Sequence, residues 1–109
     1  MRGTNLGEFE ELVLLAVAAM QDEAYSLAIT EEINKVTKRN ITFGVVHSAL
    51  DRLEKKGFLK SEMGGATKER GGRRKRIFSI SAVGKEAVLK AKDQRDQLWK
   101  MIPDFVFKP

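Results

Sequence analysis

The spacing of apolar residues implies a mostly α-helical chain with one small β-hairpin, ordered helix, helix, helix, hairpin, helix. Three observations carry this. Apolar residues recur at helical spacing in three segments before Gly57. The period changes to strict alternation at Leu59, Ser61 and Met63, and again at Phe78 and Ile80. A last amphipathic stretch then runs from Ser81 to Pro103. The 109 residues suit a single core, and a balance of 42% hydrophobic to 32% charged residues is that of a folding chain, not a disordered one.

Each element has its own signals. Asn5, with Glu8 three residues on, resembles a capping box, and Leu6, Phe9, Leu12, Val13, Val17 and Met20 define a first helix over about Leu6 to Gln21. The second helix follows Tyr25 and Ser26, with Ile29, Ile33 and Val36 as its apolar stripe. Lys38, Arg39 and Asn40 form a polar turn, and Ile41 is a candidate for a brief strand pairing. Thr42 is placed to cap a third helix buried through Val46, Ala49, Leu50 and Leu53, which stops at Gly57 after Lys55 and Lys56. The two alternating segments form a hairpin with a long loop, and Ser81 caps a final helix reaching about Ile102.

Several function classes are excluded or disfavoured. Without cysteine there is no disulfide, thiolate metal site or cysteine nucleophile, and nothing requires an oxidising compartment. The longest apolar run, Leu12 to Met20, is far short of the roughly 20 residues that span a bilayer, and the residues before it are acidic, unlike a secretory signal; a cytoplasmic location is the expectation. The only histidine, His47, has no histidine or cysteine companion for catalysis, and the pairs Glu10-Glu11 and Glu31-Glu32 read as exposed helix faces. No enzyme and no cofactor are expected.

Charge is the informative quantity. Residues 68–76 carry six basic residues against one acidic, while the rest of the chain balances at fourteen of each, so the whole net charge of +5 lies in one short segment. A focused excess is the footprint of phosphate-backbone binding; a solvated basic loop is the competing reading. The third helix, packed by its apolar face, must turn Gly44, His47, Ser48 and Arg52 outward, with Thr42 at its head. Gly44 allows close approach to a phosphate, and His47 and Ser48 are candidates for base edges or phosphates. Periodicity alone does not separate this from an idle surface helix. A hairpin tip carrying Lys68, Arg70, Arg73, Arg74 and Lys75 beside a turn-linked helix pair is the arrangement of a winged helix-turn-helix, with the basic side chains on the backbone or in the minor groove.

These residues resemble the PadR family of transcriptional regulators, winged-helix dimers. The similarity is carried by Gly7-Glu8 with Glu11-Leu12-Val13-Leu14-Leu15, by Tyr25, and most specifically by the run from Gly44 to Leu59. Beyond the wing, Arg73 to Gly84 is similar to the family's basic and aromatic strand followed by its Thr-x-x-Gly helix start. The resemblance covers roughly residues 6–90. The chain departs from the family pattern at Phe43, where a proline is usual, near His47, where a tyrosine is, and after Tyr25, where a glycine is. The single helix after the wing matches the short branch of the family, in which that helix builds the dimer.

The last helix points to dimerisation independently. Ala87, Ala91, Gln94, Leu98 and Met101 recur at alternating spacings of four and three, a coiled-coil-like seam, with Trp99 and Ile102 beside it. Packing on its own domain is the alternative. The expected division is a DNA-binding domain over 1–80 and a dimerisation helix and tail over 81–109. The resulting expectation is a homodimer that binds double-stranded DNA sequence-specifically, as a repressor, on half-sites about one helical turn apart. A winged-helix module for RNA or protein binding is the alternative. Trp99 is expected either in a core or bordering an apolar cavity at the dimer interface that takes a small planar aromatic effector.

Overall fold

The computed structural model describes residues 6–64 and 75–109. The first helix, α1, spans Glu8–Met20. Its cap is Gly7, in extended conformation, rather than Asn5, which lies outside the described residues. The Glu10 carboxylate accepts from the Gly7 N–H at 3.4 Å, and Glu8, Glu10 and Glu11 place negative charge at the positive end of the helix dipole. After α1 the chain tightens into a 3-10 turn at Gln21–Glu23, so the helix ends a residue before the boundary its periodicity suggests.

Helix α2 covers Ser26–Thr37 and buries Ile29, Thr30 and Ile33; the Thr30 hydroxyl is satisfied by donating to Ser26 O at 2.8 Å. Val36 is 68% exposed, because the last turn of the stripe reaches past the packed part of the helix. Lys38 ends α2 in a left-handed conformation, φ 61°. The connection to α3 is held by one side chain: Asn34 accepts from Ile41 N–H at 2.8 Å and donates to Ile41 O at 2.9 Å. This clamp uses both polar groups of Ile41, which therefore pairs with a side chain and not with a strand.

Helix α3 runs Phe43–Lys55. Thr42 caps it, its hydroxyl accepting from Val45 N–H at 3.3 Å, and Val46, Ala49, Leu50 and Leu53 are all fully buried. Gly57 follows at φ +86°, where a glycine avoids the Cβ penalty, and Phe58 N–H closes the end on Leu53 O at 2.9 Å. Strands β1 (Leu59–Met63) and β2 (Arg76–Ile80) pair antiparallel, from Leu59 opposite Ile80 to Met63 opposite Arg76.

Phe78 is fully buried and anchors the hairpin to the helices; its N–H donates to Ala24 O at 2.8 Å, just after the α1 turn. With Val13, Leu14 and Val17 of α1, Ile29 and Ile33 of α2, the α3 face and Leu59, it forms one continuous core. Leu14 belongs to this core although it lies off the apolar spacing of the first helix.

Helix α4, Ala82–Met101, starts where Ser81 accepts from Gly84 N–H at 3.0 Å and donates to Gly57 O at 2.6 Å. Its first turns belong to the domain, since Gly84 and Ala87 are buried. Farther along, Arg95 grips the buried Glu11 carboxylate of α1 through both terminal nitrogens, at 3.0 and 2.6 Å. Pro103 then turns the chain into a short 3-10 segment, Asp104–Phe107, that folds back so that the Phe107 ring lies 5.7 Å from Trp99.

Candidate nucleic-acid interface

The packing of α3 leaves one face outward. Gly44 and Ser48 are exposed, and a Cβ built on Gly44 would meet nothing within 4 Å, so this end of α3 is open to close approach. Thr42 is exposed but engaged as the cap.

His47 is half-buried and held on three sides. Its Nδ1 shares a hydrogen bond with the Ser26 hydroxyl of α2 at 3.1 Å, its Nε2 lies 3.8 Å from the Asp51 carboxylate, and the Phe43 ring stacks on it at 5.6 Å and 14°. Phe43, where the family pattern has a proline, thus orients the histidine. Arg52 leans toward α1, with Nε 3.6 Å from Glu10, beside Lys56 at 3.2 Å from the same oxygen. Burial pushes the Glu10 carboxyl up, but the Lys56 and Gly7 hydrogen bonds and the charges of Lys56 and Arg52 outweigh it and hold the group below its ordinary 4.5. At 3.6 Å, with its own side chain half-exposed, Arg52 holds Glu10 only loosely and is available to a stronger anion.

Of the wing residues named from sequence, Lys75 lies at the root of the loop, its Nζ 3.2 Å from the centre of the Tyr25 ring, a cation–π contact that ties the wing base to the start of α2. Gly64 N–H donates to Lys75 O at the loop end of the hairpin. Lys68, Arg70, Arg73 and Arg74 lie outside the described residues.

Sequence reasoning passed over one cluster. Arg76 reaches from β2 to Asp51 and Glu54 on α3 and to Ser61 on β1. The signal was available, because alternation counted back from Ile80 and Phe78 puts Arg76 on their face of the hairpin.

On α4, Ala87 is spent inside its own chain, Ala91 is half-buried and Gln94 is exposed; Ile102, just past the helix end, is half-buried. Leu98, Trp99 and Met101 are 64%, 61% and 74% exposed. Trp99 borders a cleft of about 400 Å³ between α1 and α4, with Leu15, Val88, Leu89 and Arg95. Among the described residues no group of acidic or histidine side chains is disposed to hold a metal, and no helix is long and apolar enough to cross a membrane.

Three helices, a hairpin with a basic loop and an outward face on the third helix define a winged helix-turn-helix protein. Residues 14–90 match the transcriptional regulator PadR-like family, and the chain belongs to that family. It is a regulator and not an enzyme. Solved structures share the fold. A PadR-like transcriptional regulator from Bacillus cereus superposes with a TM-score of 0.73 at 16% identity, over 93% of both chains. A PadR-like transcription factor from Bacteroides fragilis gives 0.70 at 17%, over 84% of both. A transcriptional regulator from Clostridium thermocellum gives 0.66 at 26%, over 89% of this chain and 91% of that one. No curated protein matches the sequence.

Proposed function

We propose that the protein is a cytoplasmic repressor that binds operator DNA as a homodimer, with α3 in the major groove and the basic wing on the backbone or minor groove. The observation that carries this is the outward face of α3, with Gly44 and Ser48 exposed and His47 half-exposed between them, standing beside the hairpin whose loop and first following strand residue, 68–76, hold the whole net charge of the chain. Thr42 and Gly44 bring the helix start to a phosphate, His47 and Ser48 meet base edges, and Arg52 exchanges Glu10 for a phosphate. Lys68, Arg70, Arg73, Arg74 and Lys75 contact phosphates or the minor groove.

In this reading residues 1–80 form the DNA-binding domain and 81–109 the dimerisation helix and tail. Leu98, Met101 and Trp99 with Phe105, Val106 and Phe107 form an exposed apolar end of the kind a second copy covers, continued by Ala91, Gln94 and Ile102. Ala87 then supports α4 from within its own chain. In the same reading the Trp99 cleft, beside the α4 seam, is the place for a planar aromatic effector. An RNA- or protein-binding module has no comparable observation in its favour.

The test is to select duplexes from a random-sequence pool and compare the parent with His47→Ala and Ser48→Ala. The expected loss is about 1 to 3 kcal/mol on the selected duplex and less on a scrambled one. Equal losses on both demote these residues to backbone contacts, and no loss removes α3 from the interface. Stronger binding to RNA of equal length overturns the DNA reading.

A further inference from the structure

We infer that Arg76 is a positioning residue, a latch that fixes the wing root against the reading helix, and that it is not one of the wing's phosphate contacts. The inference rests on the reading of α3 and the wing as the DNA surface. By sequence Arg76 is simply the last of the basic run. In the fold it is the residue of β2 opposite Met63, the final pair before the hairpin loop, and every arm of its guanidinium is occupied. Nη1 is 3.3 Å from Asp51 Oδ1, Nη2 donates to Glu54 Oε1, and Nε donates to Ser61 Oγ at 3.0 Å. The Ser61 hydroxyl in turn donates to the other Glu54 oxygen at 2.7 Å, and the guanidinium carbon lies 4.9 Å from the centre of the Phe78 ring.

Both strands and α3 therefore meet on one planar, five-donor group, which a lysine cannot imitate. The chain of contacts continues. The second Asp51 oxygen faces His47 Nε2, and His47 Nδ1 meets Ser26 at the start of α2. Lys75, the neighbour of Arg76, sits on Tyr25. The two elements proposed to touch DNA are thereby referenced to each other and to α2 at the loop root.

Isolated half-exposed ion pairs contribute little to stability, so the consequence of this network lies in orientation. Its charges also make the inference testable by sign. Asp51 lies three residues after Ser48 and four after His47, on the reading side of α3, and one cation faces two carboxylates here. If Asp51 and Glu54 acted on DNA only through charge, removing one would relieve repulsion of the phosphates and tighten binding. A latch predicts the opposite, because the wing then loses its angle to α3.

The experiment compares Glu54→Gln, Arg76→Gln and Arg76→Lys with the parent. Each is titrated, over a salt series, with the tightest duplex that the parent selects from a random pool and with a scrambled duplex of equal length. Expected are losses of about tenfold on the selected duplex for all three, little change on the scrambled one, and a salt slope within about half a unit of the parent's. A phosphate contact at Arg76 instead lowers the slope by about 0.9 for Arg76→Gln, weakens both duplexes alike and leaves Arg76→Lys near the parent. That pattern, or tighter binding by Glu54→Gln, overturns the latch.

Amide hydrogen exchange without DNA supplies an independent reading. Glu54→Gln should speed exchange at residues 61–63 and 76–77 by about tenfold while leaving 13–17 of α1 unchanged. Unchanged hairpin exchange overturns the latch as well. If the parent does not distinguish selected from scrambled duplex, the functional reading fails, and the latch stands or falls on the exchange result.

Discussion

Gly84→Ala and Gly44→Ala, the same change at two helical glycines, should differ in outcome, the first destabilising the protein and the second not. A Cβ at Gly84 would lie 2.2 Å from Phe58 O and 2.8 Å from the Ile80 side chain. Phe58 O cannot move aside cheaply, because it already accepts from Ser81 N–H at 3.0 Å and belongs to the segment between the Gly57 stop and β1. An ordinary contact requires α4 to retreat by about 1 Å, which strains the Ser81 cap and uncovers Ala87. Overpacking of this sort costs about 1 to 3 kcal/mol, and a backbone obstacle places it at the upper end. The helix preference of alanine over glycine returns up to about 1 kcal/mol, leaving a net loss near 2. At Gly44 nothing lies within 4 Å, so only the preference acts, reduced because the position is in the first turn of α3. Thermal melts at one fixed protein concentration should therefore show a fall of roughly 8 °C or more for Gly84→Ala and no fall for Gly44→Ala, at about 4 °C per kcal/mol for a domain of this size. A Gly84→Ala protein as stable as the parent would refute the close approach of α4 to the Phe58 carbonyl.

Further outcomes follow from individual contacts. Phe78→Ala should cost about 3 to 5 kcal/mol in urea unfolding, since the ring is fully buried and joins hairpin to helices. Asn34→Asp keeps the acceptor for Ile41 N–H but removes the donor to Ile41 O, and should cost about 1 to 3 kcal/mol by the same assay. Glu10 has its carboxyl held below 4.5, so its contribution is complete above that value and is lost as pH falls through the lowered one. Glu10→Gln should therefore flatten the decline of stability between about pH 5 and 3, measured by thermal melts. Leu98→Asp should shift sedimentation toward monomer, because it puts a charge in the exposed apolar end of α4.

What could be read in advance was whatever depends on neighbours in sequence. The Thr42 cap, the α3 face and the left-handed stop at Gly57 each follow from a few adjacent residues. The hairpin was legible through its period. What escaped depends on partners distant in the chain. Glu11 looks like a solvated first-turn acid, yet it is buried because Arg95, 84 residues later, returns to it. Val36 has the correct spacing and lies beyond the packed part of α2. Asn5 and Glu8 satisfy a capping pattern that Gly7 and Glu10 fulfil instead. At the candidate interface, the outward placement of Gly44 and Ser48 was legible. The restraint of His47 by Phe43, Ser26 and Asp51, and of Arg76 by α3, was not, since runs of basic residues carry no record of which cation is already paired.

The decisive measurement is the salt dependence of duplex binding by the parent and by a variant with Arg73, Arg74 and Lys75 all replaced by alanine. Log affinity against log salt should lose about 2 to 3 units of slope in the variant, on selected and scrambled duplexes alike, with the melt still cooperative and lowered by no more than loss of the Lys75–Tyr25 contact explains. A variant with the parent's slope and affinity would mean that the charged wing does not touch DNA.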